Sequence, residues 1–219
     1  MNPKTIDFKN IEAVIWDWNG TLLDDVDVSI LAMNRMLGKR DYPLLETETY
    51  KSIFTFPVKD YYSAAGVCFE THDWKTVALE FIANYRESVP QSGLHISVMS
   101  VLAFFEKRQI RQFILSAMEQ DFLEETVRLR NIEHYFEKIV GLNNHYAATK
   151  TDTAKLLVNE INLPKDKICM IGDTIHDFEV AQDAGIACVL VADGHQSRER
   201  LETTGCLVVS ELEELLKHW

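Results

Sequence analysis

The sequence predicts an α/β protein, a doubly wound parallel sheet with a small all-helical segment inserted after the first strand. Short apolar runs that end in polar residues alternate with helix-length amphipathic stretches from Ile96 to the C-terminus, the pattern of strands buried on both faces and covered by crossover helices. A first run of the same kind, Ala13–Trp16, stands apart near the N-terminus. Between it and the rest, Val26 to Ser92 carries helical periodicity and no strand-like run. With 219 residues, 47% hydrophobic and 26% charged, and only nine Gly and five Pro, the chain can bury a core as one domain with an insertion or as two small domains. Residues 1–25 and 93–219 are assigned to the core and 26–92 to the insertion.

Taken in order, Ala13–Trp16 is a strand that ends at an acidic, Gly-containing turn, Asp17 to Thr21. The helical segment is broken at Gly38, Pro43, Pro57, Gly66 and Pro90, where helices start or stop. A helix over Ser97–Arg108 then leads to a strand at Gln112–Leu115, and a helix over Asp121–Asn131 to a strand at Lys138–Leu142. Thr151–Ile161 and Asp177–Ala184 read as helices on either side of the strand Lys167–Ile171. Ile186–Val191 and Cys206–Val209 supply two further strands, and Glu211–Trp219 a closing helix. Right-handed crossovers place these helices on both faces of one sheet. No internal repeat or low-complexity stretch interrupts the pattern.

Charge narrows the function. Lys and Arg number 22 against 34 Asp and Glu, a formal charge of -12, which repels nucleic acid and anionic membrane surfaces. Met1 to Asn10 is polar and of mixed charge, and no apolar run reaches the roughly 18 residues a span requires, so neither signal peptide nor membrane anchor is expected. Cys68, Cys169, Cys188 and Cys206 lack metal-type spacing, and the last three lie in apolar runs; all four are read as reduced core residues of a cytoplasmic protein.

In an open parallel sheet, ligands bind beyond the carboxyl ends of the strands. Four residues lie at or downstream of such ends: Asp17 after Val14-Ile15-Trp16, Ser116 after Phe113-Ile114-Leu115, Lys150 beyond Ile139-Val140-Gly141-Leu142, and Asp173 after Met170-Ile171-Gly172. A carboxylate nucleophile, a hydroxyl donor, a fixed cation and a second carboxylate suit phosphoryl transfer, in which a carboxylate attacks phosphorus once the combined negative charge is offset by a metal and a cation.

These four positions, with Asp17-Trp18-Asn19-Gly20-Thr21 first and Gly172-Asp173-Thr174-Ile175-His176-Asp177 last, resemble the motifs of the haloacid dehalogenase superfamily, and the resemblance spans essentially the whole chain. The helical insertion is similar to the small cap of members such as phosphoglycolate phosphatase. The resemblance implies that Asp17 is the nucleophile, that Ser116 and Lys150 hold the phosphoryl oxygens, and that Mg2+ is held by Asp17, the Asn19 carbonyl, Asp173 and Asp177. The implied substrate is a small phosphorylated metabolite.

One position departs from that pattern. Phosphatases of the superfamily usually carry Asp two residues after the nucleophile as general acid and base, and here Asn19 stands there; an amide cannot exchange that proton, a loss of about 10² to 10⁴-fold in rate. Three readings stay open: a slow or specialised phosphatase, a phosphonoacetaldehyde hydrolase-like enzyme that activates its substrate through a cap lysine, and a phosphate-binding module with weakened turnover. On the first, restoring the carboxyl as Asn19→Asp is expected to raise turnover on alkyl phosphates. Phe54-Thr55-Phe56-Pro57 is the apolar cap turn expected to face the site, and Lys51 and Lys59 flank it, read as solvated helix face. Asp24-Asp25 is read as a solvated hinge and cap for the first inserted helix, and Trp16 and Trp18 as packing residues.

Overall fold

The computed structural model describes residues 6–142 and 149–219. Six parallel strands form the central sheet in the order β5-β4-β1-β6-β7-β8, where β1 is Ala13–Trp16, β4 Arg111–Glu119, β5 Lys138–Leu142, β6 Ile168–Gly172, β7 Ala187–Val191 and β8 Leu207–Val209. β1 lies at the centre, in register with β4 on one side (Ile15 opposite Phe113) and β6 on the other (Ile15 opposite Met170). Strand order runs outward in opposite senses from β1, which makes the crevice beside its carboxyl end the switch point of the sheet.

Side-chain alternation explains why both faces are covered. Val14, Trp16, Ile114, Cys169, Ile171, Val189 and Val191 point to one face and pack with α5 (Val98–Lys107), α6 (Gln120–Arg128) and a 3₁₀ turn at Leu212–Lys217. Ala13, Ile15, Phe113, Leu115, Ile168, Met170, Cys188 and Leu190 point to the other, against α7 (Lys150–Ile161), α8 (Ile175–Ala184) and α9 (Arg198–Glu202). With no polar face to solvate, the strands are the uninterrupted apolar runs of the sequence.

Between β1 and β4 the chain forms a two-residue strand β2 (Leu23–Asp24), the helices α1 (Val26–Gly38), α2 (Thr47–Ile53), α3 (Val58–Ala64) and α4 (Trp74–Ser88), and a returning strand β3 (Gly93–Leu94). β2 and β3 pair antiparallel, Leu23 opposite Leu94, and join the ends of the inserted segment. The four helices share a core of their own that includes Met33, Met36, Leu37, Tyr50, Tyr61, Tyr62 and Val77. α1 and α4 pack along each other, and Ala32 and Tyr85 carry that pair onto the main core.

Several elements differ from the sequence reading. β2 and β3 are too short for a periodicity to register, and α9 is a five-residue helix in a stretch to which the sequence pattern assigns no element. β4 runs on to Glu119, through a register shift after Leu115, so Ser116 lies inside the strand rather than after it. The closing helix is 3₁₀. Of the cysteines, Cys169 and Cys188 are buried, but Cys206 is half-buried and Cys68 exposed; all four are free thiols. Among the described residues no helix is long and apolar enough to cross a membrane.

Trp16 is fully buried at the end of β1, edge-on to Phe105 at 5.5 Å with its indole N–H on Gln112 Oε1 at 3.1 Å. Trp16→Ala is expected to lower unfolding free energy by about 3–5 kcal/mol, measured by urea titration.

Candidate active site

The site begins where β1 runs out. Asp17 N–H donates to Ile171 O at 2.8 Å, so the sheet still grips the backbone at this residue, and the chain then turns through Asn19 and Gly20. The N–H groups of Leu22 and Leu23 both reach back to Trp18 O, and Gly20 N–H donates to Leu23 O, bonds that close the turn. Gly20 has φ +73°, in the left-handed region, and a Cβ there would lie 2.3 Å from Asp173 Oδ2; a Cβ on Gly194 would lie 2.1 Å from the same atom. Only glycine lets these two segments close around the Asp173 carboxylate.

Asp17, Ser116, Lys150, Asp173 and Asp177 are all buried at this edge of the sheet. Lys150, the first residue of α7, is aimed inward: its ammonium donates to Asp17 Oδ1 and, at 2.6 Å, to Asp177 Oδ1. Thr149 caps α7 in a reciprocal pair with Asp152, which leaves the Lys150 side chain free for the site. Asp177 serves twice. Its Oδ2 takes the Thr174 hydroxyl (2.6 Å) and N–H (3.0 Å) in the capping box of α8, while Oδ1 takes Lys150. The Thr21 hydroxyl lies between Asp17 Oδ2 (3.3 Å) and Asp173 Oδ1 (3.2 Å), and His195 N–H donates to Asp173 Oδ2 at 2.6 Å. Oxygens of Asp17, Asp173 and Asp177 all come within 4.8 Å of one another.

Crowding of carboxylates shows in their acidities. Burial pushes Asp17 up to about 8, Lys150 opposing and Asp177 and Asp173 adding to the rise. Asp173 is raised to about 6, by burial and then by Asp177, against the pull of His195. Asp177 is also desolvated, but Lys150 and the Thr174 bonds overcome that and hold it below the usual carboxylate value. Three buried carboxylates of which two resist ionisation form a site short of positive charge, and an all-oxygen donor set is what a hard divalent cation such as Mg2+ prefers.

A second group of residues adjoins the first. Asn19, half-buried, accepts from Ser116 Oγ at 3.3 Å through its Oδ1, and its Nδ2 donates to Asp25 Oδ2 (3.0 Å) and Tyr85 Oη (2.7 Å). Ser116 is no helix cap: Glu119 takes that role for α6, accepting from Asp121 and Phe122 N–H. Asp25, expected to be solvated, is 1% exposed and its side chain caps nothing on α1. Burial pushes its pKa up, yet His195, Tyr85 and Asn19 together hold it below the ordinary value. His195 is likewise buried; desolvation lowers its value, but Asp25 and then Asp173 and Asp17 carry it up to about 9. Sequence reading missed Asp25, His195 and Tyr85. His195 had a usable signal, since it follows the apolar run of β7 by only Ala192-Asp193-Gly194, a fifth strand end.

The inserted helices close over this edge. The Tyr50 hydroxyl bonds His195 Nδ1 at 2.8 Å, the Phe54 ring stacks on the His195 ring at 4.8 Å, and Phe56 stacks on His176 at 4.7 Å. Gln196 Nε2 and Arg200 Nη1 donate to Phe54 O at 2.8 and 2.6 Å. The apolar turn Phe54–Pro57 thus faces the core as the sequence suggested. Lys59 does not reach the site: it is exposed, its ammonium 5.4 Å from the Phe69 ring. Lys51 is half-buried and offers its backbone carbonyl to Arg200.

A parallel sheet with this carboxylate and lysine cluster at its switch point defines a hydrolase class, and the chain belongs to it: the family model of haloacid dehalogenase-like hydrolases matches residues 14–191. Among curated proteins it is similar to an N-acetylmuramic acid 6-phosphate phosphatase of Pseudomonas putida, 23% identical over 84% of this chain and 84% of that protein. It is also similar to a phosphoglycolate phosphatase of Pseudomonas savastanoi pv. phaseolicola, 21% identical over 93% of this chain and 78% of that one. Among solved structures, a haloacid dehalogenase-like family hydrolase from Streptococcus pneumoniae superposes with a TM-score of 0.84 at 17% identity, covering 96% of this chain and 99% of that one.

The raised values fix a pH dependence. A carboxyl whose pKa is higher in the folded than in the unfolded chain stabilises the fold while protonated, and that stability is lost as pH climbs through the folded value. Without divalent cation, thermal stability is therefore expected to fall as pH rises from about 4 through Asp173 near 6 and Asp17 near 8. Added Mg2+ should raise the thermal midpoint more at pH 8 than at pH 5, measured by scanning fluorimetry.

Proposed function

We propose that the protein is a Mg2+-dependent phosphatase of a small phosphorylated metabolite that works through an aspartyl phosphate on Asp17, with residues 26–92 as a cap over the site. The observation that carries this reading is the Asp17 carboxylate at the end of the central strand, buried beside Asp173 and Asp177 and held by Lys150 and Thr21. The phosphatase names of the two bacterial relatives support it.

In the forward step Asp17 attacks phosphorus and the bond from phosphorus to the leaving oxygen breaks. Water then attacks the aspartyl phosphate, releasing phosphate and restoring the carboxylate, and the proton this water gives up to solvent balances the one the leaving oxygen takes from solvent. Lys150 holds Asp17 in place and, with Ser116, presents donors to the phosphoryl oxygens, where preorganised charge is worth most. Asp173, Asp177, Asp17 and the Asn19 carbonyl would hold Mg2+, which when bound offsets the negative charge of nucleophile and phosphate. The leaving oxygen receives no proton from residue 19, because Asn19 is an amide. The aromatic turn Phe54–Pro57 shields the site from water, as a closing lid does.

The exposed position of Lys59 favours this reading over a phosphonate hydrolase that uses a cap lysine. A cytoplasmic location accords with the four free thiols.

Incubating the protein with Mg2+ and a panel of small phosphomonoesters is expected to release phosphate, and Asp17→Asn to abolish release with an unchanged far-UV spectrum. A stable phosphorylated protein without turnover would instead identify a binding module. Lys150→Met is expected to reduce kcat/KM by at least about 10²-fold, as loss of one donor to a developing oxyanion does; steady-state kinetics measure it.

A further inference from the structure

The Asn19 side chain sits in a closed hydrogen-bond circuit whose polarity is set by Asp25. Asp25 Oδ1 accepts from Gly20 N–H at 2.8 Å and faces His195 Nε2 at 3.4 Å. Its Oδ2 accepts from Asn19 Nδ2 at 3.0 Å and from Tyr85 Oη at 2.6 Å. Tyr85 has one hydroxyl proton, directed to Asp25, so it can only accept from Asn19 Nδ2, 2.7 Å away. Both amide protons of Asn19 are therefore committed, and its Oδ1 is left for Ser116 Oγ. An ionised carboxylate has no proton to give. Whatever occupies position 19 opposite Asp25 must be a donor.

We infer that Asp25 is a positioning residue for the reaction: the negative charge of this corner resides on residue 25, and Asp25 obliges residue 19 to be an amide oriented toward Ser116. The inference rests on the phosphatase reading for its kinetic consequence, whereas the pairing itself is tested without substrate. On this account Asn19 is one half of a matched amide and carboxylate pair, and the other half immediately precedes α1, the first inserted helix, next to a cap tyrosine and to the loop that bonds Asp173.

Two consequences separate this from a simple substitution at position 19. Asn19→Asp alone sets two acceptors at the present 3.0 Å, with a single Tyr85 proton between two carboxylates; the turnover gain expected from the sequence does not follow while Asp25 is present. Exchanging the pair, Asn19→Asp with Asp25→Asn, reverses the bonds among residue 19, residue 25 and Tyr85, and its cost is confined to the His195 ring, which faces an amide oxygen in place of a carboxylate, and to the 3.5 Å Ser29 hydroxyl bond. The new amide at 25 donates to the new carboxylate and to Tyr85 Oη, Tyr85 turns its proton to residue 19, and the remaining oxygen of residue 25 still accepts from Gly20 N–H.

The experiment is a double-mutant cycle on the full chain: parent, Asn19→Asp, Asp25→Asn and the exchanged pair. Thermal midpoints are read first, with peptide mass spectrometry to verify residue 19, because Asn19-Gly20 is a sequence prone to deamidation. Each single variant is expected to melt about 10 °C below the parent and the exchanged pair within about 3 °C of it, the strong non-additivity of contacting groups. Kinetics follow on an alkyl and an aryl phosphate with Mg2+. The exchanged pair is expected to raise the ratio of alkyl to aryl kcat/KM by about 10²-fold, the lower end for a restored general acid, which a purely structural role would leave unmoved. Asn19→Asp, where it folds, keeps the parent ratio. Midpoint losses that simply add in the exchanged pair, or an Asn19→Asp variant that alone matches the parent midpoint and gains the ratio, would overturn the inference, as would an exchanged pair of parental midpoint and unchanged ratio. Absence of turnover in all four proteins, with the predicted midpoints, counts against the phosphatase reading and leaves the pairing supported.

Discussion

One ammonium group organises the carboxyl edge of the sheet. Lys150 enters from the first turn of α7 and bonds both Asp17, at the end of β1, and Asp177, in the first turn of α8. Taking a lysine out of water is costly unless its charge is met, and here two carboxylates meet it. The same contact makes two buried carboxylates tolerable a few ångströms apart. Removing the lysine would leave both without their shared counter-charge, so the geometry of three chain segments depends on this residue.

Even so, Lys150 does not satisfy the site. Asp17, Asp25, Asp173 and Asp177 are four carboxyl groups, against Lys150 and the His195 ring that Asp25 keeps basic. The imbalance appears in the reluctance of Asp17 and Asp173 to ionise, and it is an imbalance a divalent cation relieves. The inserted helices share in this arrangement rather than merely covering it. Tyr85 of α4 bonds Asp25, and Tyr50 of α2 bonds His195, so each end of that ion pair is fastened to a different inserted helix. Opening the helices away from the sheet would disturb Asp25 and His195, and through them the Asn19 turn and Asp173.

Much of this was legible in the sequence because buried parallel strands have a strong signature. β1, β6 and β7 are unbroken apolar runs, and the rule that ligands sit at strand ends pointed to Asp17 and Asp173, while Lys150, well beyond the end of β5, drew its proposed role from the family resemblance. The family assignment followed from the same positions. What was illegible is what depends on three-dimensional proximity. Asp24 and Asp25 are adjacent acidic residues with no local feature to tell them apart, yet one is exposed and the other is 1% exposed at the centre of a polar circuit. Tyr85 sits in an amphipathic helix among other aromatics, and only the fold brings its hydroxyl to Asp25. β2 and β3 have two residues each, below any periodicity. Asn19 was recognised as a departure, but its reason lies six residues on, in a side chain read as solvated.

The central claim is that Asp17 carries the phosphoryl group. Acid quenching of the protein during turnover of a radiolabelled phosphomonoester with Mg2+, followed by peptide mapping, tests it most directly. The account predicts a hydroxylamine-labile label on the peptide that contains Asp17, absent from the Asp17→Asn protein. Phosphate release with no covalent label, or a label on a different residue, would contradict it.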